Sequence, residues 1–421
     1  MIKKLLLKSD FIKSVAVLMT GTMAAQMLGY VFAPIITRYY TPEENGQLGI
    51  FLLLVSLGAA FATARYELTL PVVKSKVHSF RLYHIAVRIT IVTTILSLFV
   101  LVYPAFTDGS GIEYAFYGLI PVAIFLTASS NMGTYWAIRL KLFRHLSYSK
   151  VATSISSNLV KVSLGVMGWG YLGLIFGYIT GLIFGNIWFV RNFFRGQKEF
   201  GIRSSSPRNF VLAKQYIEFP KINLPHVVID YGRELTVAVL IIHFYGLAIY
   251  GLYELSFRML KMPLILIGQS IGQVFLQKCS ENFNAKEAIT PFIIKTMITL
   301  FLLSIAPVTI IFFFGSDIFA FIFSEEWRDA GTFSEIMVPL VIMLFVASPI
   351  SSLPMIIDRQ REFFILSLFG TALMIGSVLI PPFFFDASIE KTLWTLSLSR
   401  AAYFVLTIFK YLQYSRIADA R

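Results

Sequence analysis

Long apolar runs recur along this chain at short intervals, and no other feature limits its fold as strongly. Scanning for stretches of about 20 apolar residues, the length that crosses a bilayer as a helix, gives twelve candidates. They cover residues 12–37, 46–72, 82–105, 114–138, 148–168, 170–194, 220–244, 247–276, 290–314, 332–357, 363–385 and 389–414. The runs are continuous rather than alternating, so they read as helices and not as strands of a barrel. The chain is 57% hydrophobic and only 14% charged, against roughly half and a quarter in soluble domains. The expected class is therefore an all-α polytopic membrane protein with twelve transmembrane helices. The stretch Ser316–Phe323 is too short to span and is expected at the interface. The first run is longer than a signal-peptide core of about 7–15 residues, so it is expected to be a retained first span.

The connecting loops alternate in charge. Lys3, Lys4 and Lys8, then Lys74, Lys76 and Arg81, then Arg139, Lys141 and Arg144 fall on one set of loops. Arg191, Arg195, Lys198, Lys278, Lys286, Arg359 and Arg416 continue that set. The other set holds Glu43, Glu44, Glu113, Asp317, Glu325, Glu326 and Glu390, with few cations. Basic loops stay cytoplasmic, which places both termini inside. The net charge of +13 thus reports topology, and no nucleic-acid partner is expected. The single cysteine, Cys279, excludes an internal disulfide and a cysteine metal cluster.

A basic, serine-bearing stretch near the middle, residues 195–211, has linker chemistry. It divides the chain into an N-terminal six-helix bundle (1–194), a cytoplasmic linker (195–211) and a C-terminal six-helix bundle (212–421). The halves carry a faint echo: Arg38-Tyr39-Tyr40 before Gly46, and His243-Phe244-Tyr245 before Gly251, as in two-repeat transporters.

Five cations lie well inside apolar runs: Arg65, Lys161, Arg233, Arg258 and Arg400. Each costs roughly 2.5–3.5 kcal/mol to insert at a helix centre. Such residues face a bundle interior or a wet cavity and mark the route of something polar. Five cations on the runs of both halves point to an anion. Arg65 lies near a helix end, where snorkelling is the competing reading. Around Lys161, the residues Lys150, Ser154, Ser157 and Asn158 recur at three- and four-residue spacing and share one helix face. That face reads as cavity lining, with a helix–helix hydrogen-bonding seam as the alternative. Asp230–Arg233 and Glu254–Arg258 have the spacing of pairs on one helix. Arg65 and Glu67, two apart, do not face each other on a helix. Tyr231, Tyr253 and Tyr403 lie near the cations and can stack on sugar rings or simply pack. Pro220, Pro225, Pro263, Pro339, Pro349 and Pro354 are expected to interrupt runs of the second half.

No catalytic constellation, P-loop or His pair at metal-ligand spacing is present, so neither enzyme chemistry nor a self-contained ATP-driven pump is expected, and no metal or cofactor. Glu67, Asp230, Glu234 and Glu254 are the candidates for coupling to H⁺ or Na⁺.

Several segments resemble one family. GTMAAQMLGYVFAPIITRYYTPEENGQLGIF (21–51), ARYELTLP (64–71), YIEFPKINLPHVVIDYG (216–232), FSEEWRDAG (323–331) and SPISSLPMIIDRQ (348–360) are similar, in order and spacing, to the bacterial polysaccharide-unit flippases of Wzx type. These belong to the multidrug/oligosaccharidyl-lipid/polysaccharide exporter superfamily. The resemblance implies a fold like multidrug and toxin exporters (MATE), with two six-helix bundles in a V and alternating access across the bacterial inner membrane. It implies transport of undecaprenyl-pyrophosphate-linked oligosaccharide units, such as O-antigen, from the cytoplasmic to the periplasmic leaflet. It also implies membrane lipids, a polysaccharide polymerase and a chain-length regulator as partners, and a cavity lined by the five cations. Alternatives are a drug/cation antiporter, which surplus Arg and Lys would disfavour, and a lipid II-type flippase, which commonly has extra helices. A membrane glycan polymerase or ligase would need a large outer loop that this chain lacks.

Overall fold

The structure, a computed structural model, describes residues 2–108, 111–201, 207–385 and 387–420. Among these residues the chain is helical without strands. Fifteen α-helices follow in order: α1 (Ile2–Ile36), α2 (Pro42–Thr63), α3 (Lys76–Asp108), α4 (Gly111–Arg139), α5 (Phe143–Val166) and α6 (Gly170–Phe200). Then come α7 (Pro207–Gln215), α8 (Glu218–Tyr245), α9 (Leu247–Asn284), α10 (Thr290–Phe323) and α11 (Arg328–Ile336). The chain finishes with α12 (Val338–Ala347), α13 (Leu353–Ile356), α14 (Gln360–Phe385) and α15 (Ile389–Asp419).

Each predicted span falls on helix, with two departures. The second span stops being α-helical at Thr63, and residues Tyr66–Thr69 form a 3₁₀ turn. The tenth is broken into α11, α12 and α13, where Pro339, Pro349 and Pro354 remove donors and clash with the preceding turn. Residues 316–323, too short to span alone, continue α10 without a break and form its C-terminal end. Among the described residues, eight helices are long and apolar enough to cross a membrane, and a ninth counts if the pair bent by 56° at residues 325–347 is one span. Three more, α5, α8 and α9, have the length at 24, 28 and 38 residues but carry the polar stripe or the paired charges. Of the expected linker, 195–200 extends α6 and 207–211 opens α7, while 202–206 lies outside the described residues.

The chain forms two compact units. One comprises 1–40 and 47–235, the other 41–46 and 236–421. In the first, α5 packs along both α1 and α6, and α4 packs on α3 and α6. Gly177, Gly181 and Gly185, one turn apart on α6, bring α5 into close contact. A Cβ on Gly185 would meet Thr153 Oγ1 at 2.0 Å, and one on Gly177 would meet Lys161 Cγ at 2.3 Å. This is the small-residue spacing that lets membrane helices approach. One buried cluster centres on Phe51, Val55, Ile120, Ile124 and Ile175. A second is aromatic: Phe80 sits among Tyr83, His84, Trp136, Phe193 and Phe200 at 5.2–5.9 Å between ring centroids.

In the second unit, α14 and α12 pack on α15, and α10 packs on α11 and α12. Its cores hold Phe275, Ile289, Ile293, Leu353 and Tyr411, and Leu300, Phe345 and Val346. The N-terminal turn of α2 belongs to this unit and meets the start of α9 backbone to backbone. A Cβ on Gly251 would lie 1.7 Å from the Pro42 carbonyl oxygen, and one on Gly46 would lie 2.5 Å from that of Leu247. The two glycines of the sequence echo therefore meet at one crossing. Along α10, Phe301, Leu302 and Phe313 are exposed, as suits a surface solvated by hydrocarbon.

Candidate functional site

The helix break after Thr63 builds the first charged cluster. Ala64 and Arg65 take left-handed backbone angles (φ 45° and 60°), costly for residues with a Cβ. The turn brings Arg65 Nη1 to within 3.0 Å of Glu67 Oε1, so Arg65 donates to Glu67. The i,i+2 spacing excludes such a pair only on a helix, and the chain has left the helix here. Glu67 is fully buried, and its second oxygen, Oε2, accepts no hydrogen bond. Burial pushes its pKa above the ordinary carboxylate value, outweighing the opposing Thr63 hydroxyl and Arg65 guanidinium. Arg139, at the end of α4, secures the same turn by donating to the carbonyls of Pro71 (3.3 Å) and Lys74 (2.7 Å).

The polar stripe of α5 divides. Lys150 Nζ donates to Thr22 Oγ1 at 2.9 Å, and Ser154 Oγ donates to the Ala25 carbonyl at 2.7 Å. Asn158 Nδ2 donates to Ser154 Oγ at 3.3 Å, and Ser157 is buried against Gly181. This part of the face is a seam with α1 and α6, the alternative to cavity lining. Lys161 lies one turn beyond, half-buried, its stem against Gly177 and its backbone carbonyl accepting from Tyr40 Oη at 2.7 Å.

On α8, Arg233 Nη2 stands 3.6 Å from Asp230 Oδ1, and Asp230 Oδ2 is 3.2 Å from His226 Nδ1. The Arg233 Nε is buried without a hydrogen-bond partner. Glu234 is half-buried beside this pair in sequence. On α9, Arg258 Nη1 stands 3.6 Å from Glu254 Oε2, and its Nη2 donates to Asn45 Oδ1 at 3.3 Å. Asn45 in turn donates from Nδ2 to the Gly251 carbonyl (2.9 Å) and to Glu254 Oε2 (3.1 Å). The Arg258 Nε is also buried without a partner. Both pairs expected on single helices are thus present, but at 3.6 Å they exceed hydrogen-bond length and act by charge alone. An anion with better geometry can displace such a carboxylate.

Arg400 differs. Its Nη1 donates to the Gly370 carbonyl of α14 at 2.9 Å, and its guanidinium lies 4.8 Å and 5.0 Å from the Tyr403 and Phe404 ring centroids. Tyr403 is itself buried on Gly370, and Tyr253 is buried and stacked on Phe257 at 5.8 Å. Both tyrosines therefore pack within the protein. Tyr231 is half-buried.

Asn45 is the polar group that the sequence did not single out. It sits among the helix-starting residues Pro42-Glu43-Glu44-Asn45-Gly46, which read as a loop. A neutral amide in an outer loop carries no signal of its own. Among the described residues, no three His, Cys, Asp or Glu gather as a metal site.

A family model described as polysaccharide biosynthesis protein matches residues 35–332. The match includes Arg65, Lys161, Arg233 and Arg258 but ends before Arg400. No curated protein matches the chain. Among solved structures, the chain is similar to the inward-facing conformation of a multidrug resistance MATE family transporter of the MOP superfamily. The TM-score is 0.71 at 10% identity, over 94% of this chain and 98% of that one. It is also similar to the outward-facing conformation of a multidrug resistance MATE family transporter, with TM-score 0.64 at 12% identity over 97% of each chain. A third similar structure is a MOP superfamily transporter from Pyrococcus furiosus for which a reverse polarity of the binding pocket suggests a different function. Its TM-score is 0.61 at 10% identity, over 97% of this chain and 96% of that one. The fold is the one those transporter structures share. With apolar helices of spanning length, that fold and this family match, the chain is a multi-pass membrane protein that belongs to the polysaccharide biosynthesis protein family.

Proposed function

We propose that this protein is a flippase for lipid-linked oligosaccharides. It moves undecaprenyl-pyrophosphate-linked repeat units from the cytoplasmic to the periplasmic leaflet of the bacterial inner membrane, by alternating access. The observation that carries this reading is the state of Arg233 and Arg258. Both belong to helices of spanning length, and each faces its carboxylate at 3.6 Å with a buried Nε that no acceptor satisfies. Arginine forks match phosphate oxygens bidentately. A pyrophosphate entering near either guanidinium gains charge-assisted hydrogen bonds that the resident carboxylate does not make. Lys161 adds a point charge from α5. Arg65 and Arg400 have hydrogen-bonded partners of their own and contribute less.

The family's place in polysaccharide biosynthesis supports the glycan. The Pyrococcus furiosus transporter supports a fold that accepts more than one pocket polarity. Isolated charge crossing hydrocarbon costs tens of kcal/mol in the Born limit, so the head group needs a protein path while the polyprenyl tail stays in lipid. Of the four candidate coupling carboxylates, Glu67 suits a proton best, being buried with one oxygen unbonded. Asp230 and Glu254 are held by their arginines.

The test is complementation of a deletion strain. The wild-type gene restores surface polysaccharide, and the deletion leaves undecaprenyl-linked units on the cytoplasmic leaflet. Full restoration by Lys161→Ala, Arg233→Ala and Arg258→Ala together would refute the cationic path.

A further inference from the structure

The second unit carries a groove of about 650 Å³ where the first turns of α10 meet the last turn of α15. It lies at the ends of two helices long and apolar enough to span. Thr290, Ile294, Lys295, Ile298, Arg416 and Asp419 are among its walls. The polar groups of this groove are satisfied unequally. Asp419 accepts from the backbone N–H groups of Ile289 (2.7 Å, Oδ1) and Thr290 (3.0 Å, Oδ2), so both oxygens are used in capping α10. The Thr290 hydroxyl donates to Ser415 Oγ at 2.9 Å, and the Thr299 hydroxyl donates to the Lys295 carbonyl at 2.8 Å. Among the described residues, the side chains of Lys295 and Arg416 alone in this set take no partner, and both are exposed. Two unanswered cations beside an already committed carboxylate leave the groove asking for an anion.

The groove's setting selects the kind of anion. α10 has 34 residues, about 51 Å at 1.5 Å per residue. A hydrocarbon core is about 30 Å thick, so roughly 10 Å of helix extends past it at each end. Lys295, five residues after Thr290, lies about 7.5 Å along the helix and so at phosphate depth. From there the groove opens onto an apolar face, with Ile298, Phe301, Leu302 and Ile305 all more than two-fifths exposed. A soluble phosphate would satisfy the cations but leave that face unfilled. A lipid fills both.

We infer that this groove is a binding site for an anionic glycerophospholipid, its phosphate between Lys295 and Arg416 and an acyl chain along Ile294, Ile298 and Leu302. The site lies away from Arg233 and Arg258 in sequence and does not depend on what the transporter carries. Basic residues near a membrane surface each contribute about 1 kcal/mol to anionic-lipid binding. That converts to about a fivefold loss for either cation and about a thirtyfold loss for both.

Native mass spectrometry of the full-length protein, released from detergent with phosphatidylglycerol and phosphatidylcholine of matched chains, reads this directly. Wild type should retain phosphatidylglycerol preferentially. Lys295→Gln and Arg416→Gln should each cut that preference about fivefold, and the double variant about thirtyfold. Lys391→Gln, at the opposite end of α15, should leave it unchanged. Glycerol phosphate in excess should not displace the lipid. Three results would overturn the inference: equal retention of the two lipids by wild type, undiminished preference in the double variant with an unchanged melting temperature, or displacement by glycerol phosphate. The last would mark a soluble-phosphate site. Lys295→Arg should keep the preference, which separates charge from folding.

Discussion

Replacing Arg258 by glutamine should separate transport from stability, and the structure sets both magnitudes. The guanidinium stands 3.6 Å from Glu254. Coulomb's law gives about 1 kcal/mol at that distance in water and nearly 5 kcal/mol at an effective dielectric of 20. The Arg258 side chain is 39% exposed, so the lower figure governs, and ion pairs of this kind contribute about 0–1 kcal/mol. Its second contact, to Asn45 at 3.3 Å, is long, and a glutamine amide can replace it. The expected stability loss is therefore under about 1 kcal/mol, a shift of a few degrees in thermal melting of the purified protein. A charge-assisted hydrogen bond to the transported phosphate is worth about 1.5–3 kcal/mol. Transport in proteoliposomes should then fall about tenfold to a hundredfold. Asn45→Ala removes the neighbour and keeps the cation, so it should lower stability comparably while retaining most transport. If transport in Arg258→Gln matches wild type, or if activity in both variants merely follows melting temperature, Arg258 is a structural residue and the reasoning fails.

Other outcomes follow from single contacts. Gly251→Ala places a methyl 1.7 Å from a backbone carbonyl that cannot swing aside, so it should cost about 1–3 kcal/mol, read by thermal unfolding. An unchanged melt would contradict the close crossing. Arg400→Gln should lower melting temperature by breaking the link to the Gly370 carbonyl and the stacking on Tyr403 and Phe404, yet the folded fraction should transport normally. Glu67 has a raised pKa, so the folded state holds its proton to higher pH than the unfolded chain. Its contribution therefore favours folding below the ordinary carboxylate value and is lost as pH rises through the raised one. Glu67→Gln should remove this slope, and melting scans from acid to neutral pH that keep the wild-type slope in the variant would rule it out.

Much of the helical frame could be read in advance because apolar length is a local property. The polar stripe of α5 was equally legible as a face, but periodicity does not say what a face meets. Lys150 and Ser154 meet α1, whose own contribution is the Thr22 hydroxyl and the Ala25 carbonyl. A backbone carbonyl leaves no trace in sequence. The Arg65–Glu67 pair was missed for a different reason. The i,i+2 argument holds only on a helix, and the break comes at Ala64 and Arg65, which lack the Gly or Pro that usually marks one. At Pro339, Pro349 and Pro354 the expected interruption is present, whereas α8 runs on through Pro220 and Pro225. Asn45 illustrates the remaining limit, since its role comes from a contact 213 residues away in sequence with Arg258.

The central claim is that cations in the spanning helices carry an anionic, lipid-linked head group. The most direct measurement is flipping of fluorescent undecaprenyl-pyrophosphate-linked oligosaccharide by purified protein in proteoliposomes, with the Arg233→Gln/Arg258→Gln double variant alongside. The account predicts rapid leaflet exchange for wild type, a loss of at least tenfold in the double variant, and inhibition of wild type by excess undecaprenyl pyrophosphate. Equal exchange by the double variant, or no exchange by wild type above protein-free vesicles, would contradict it.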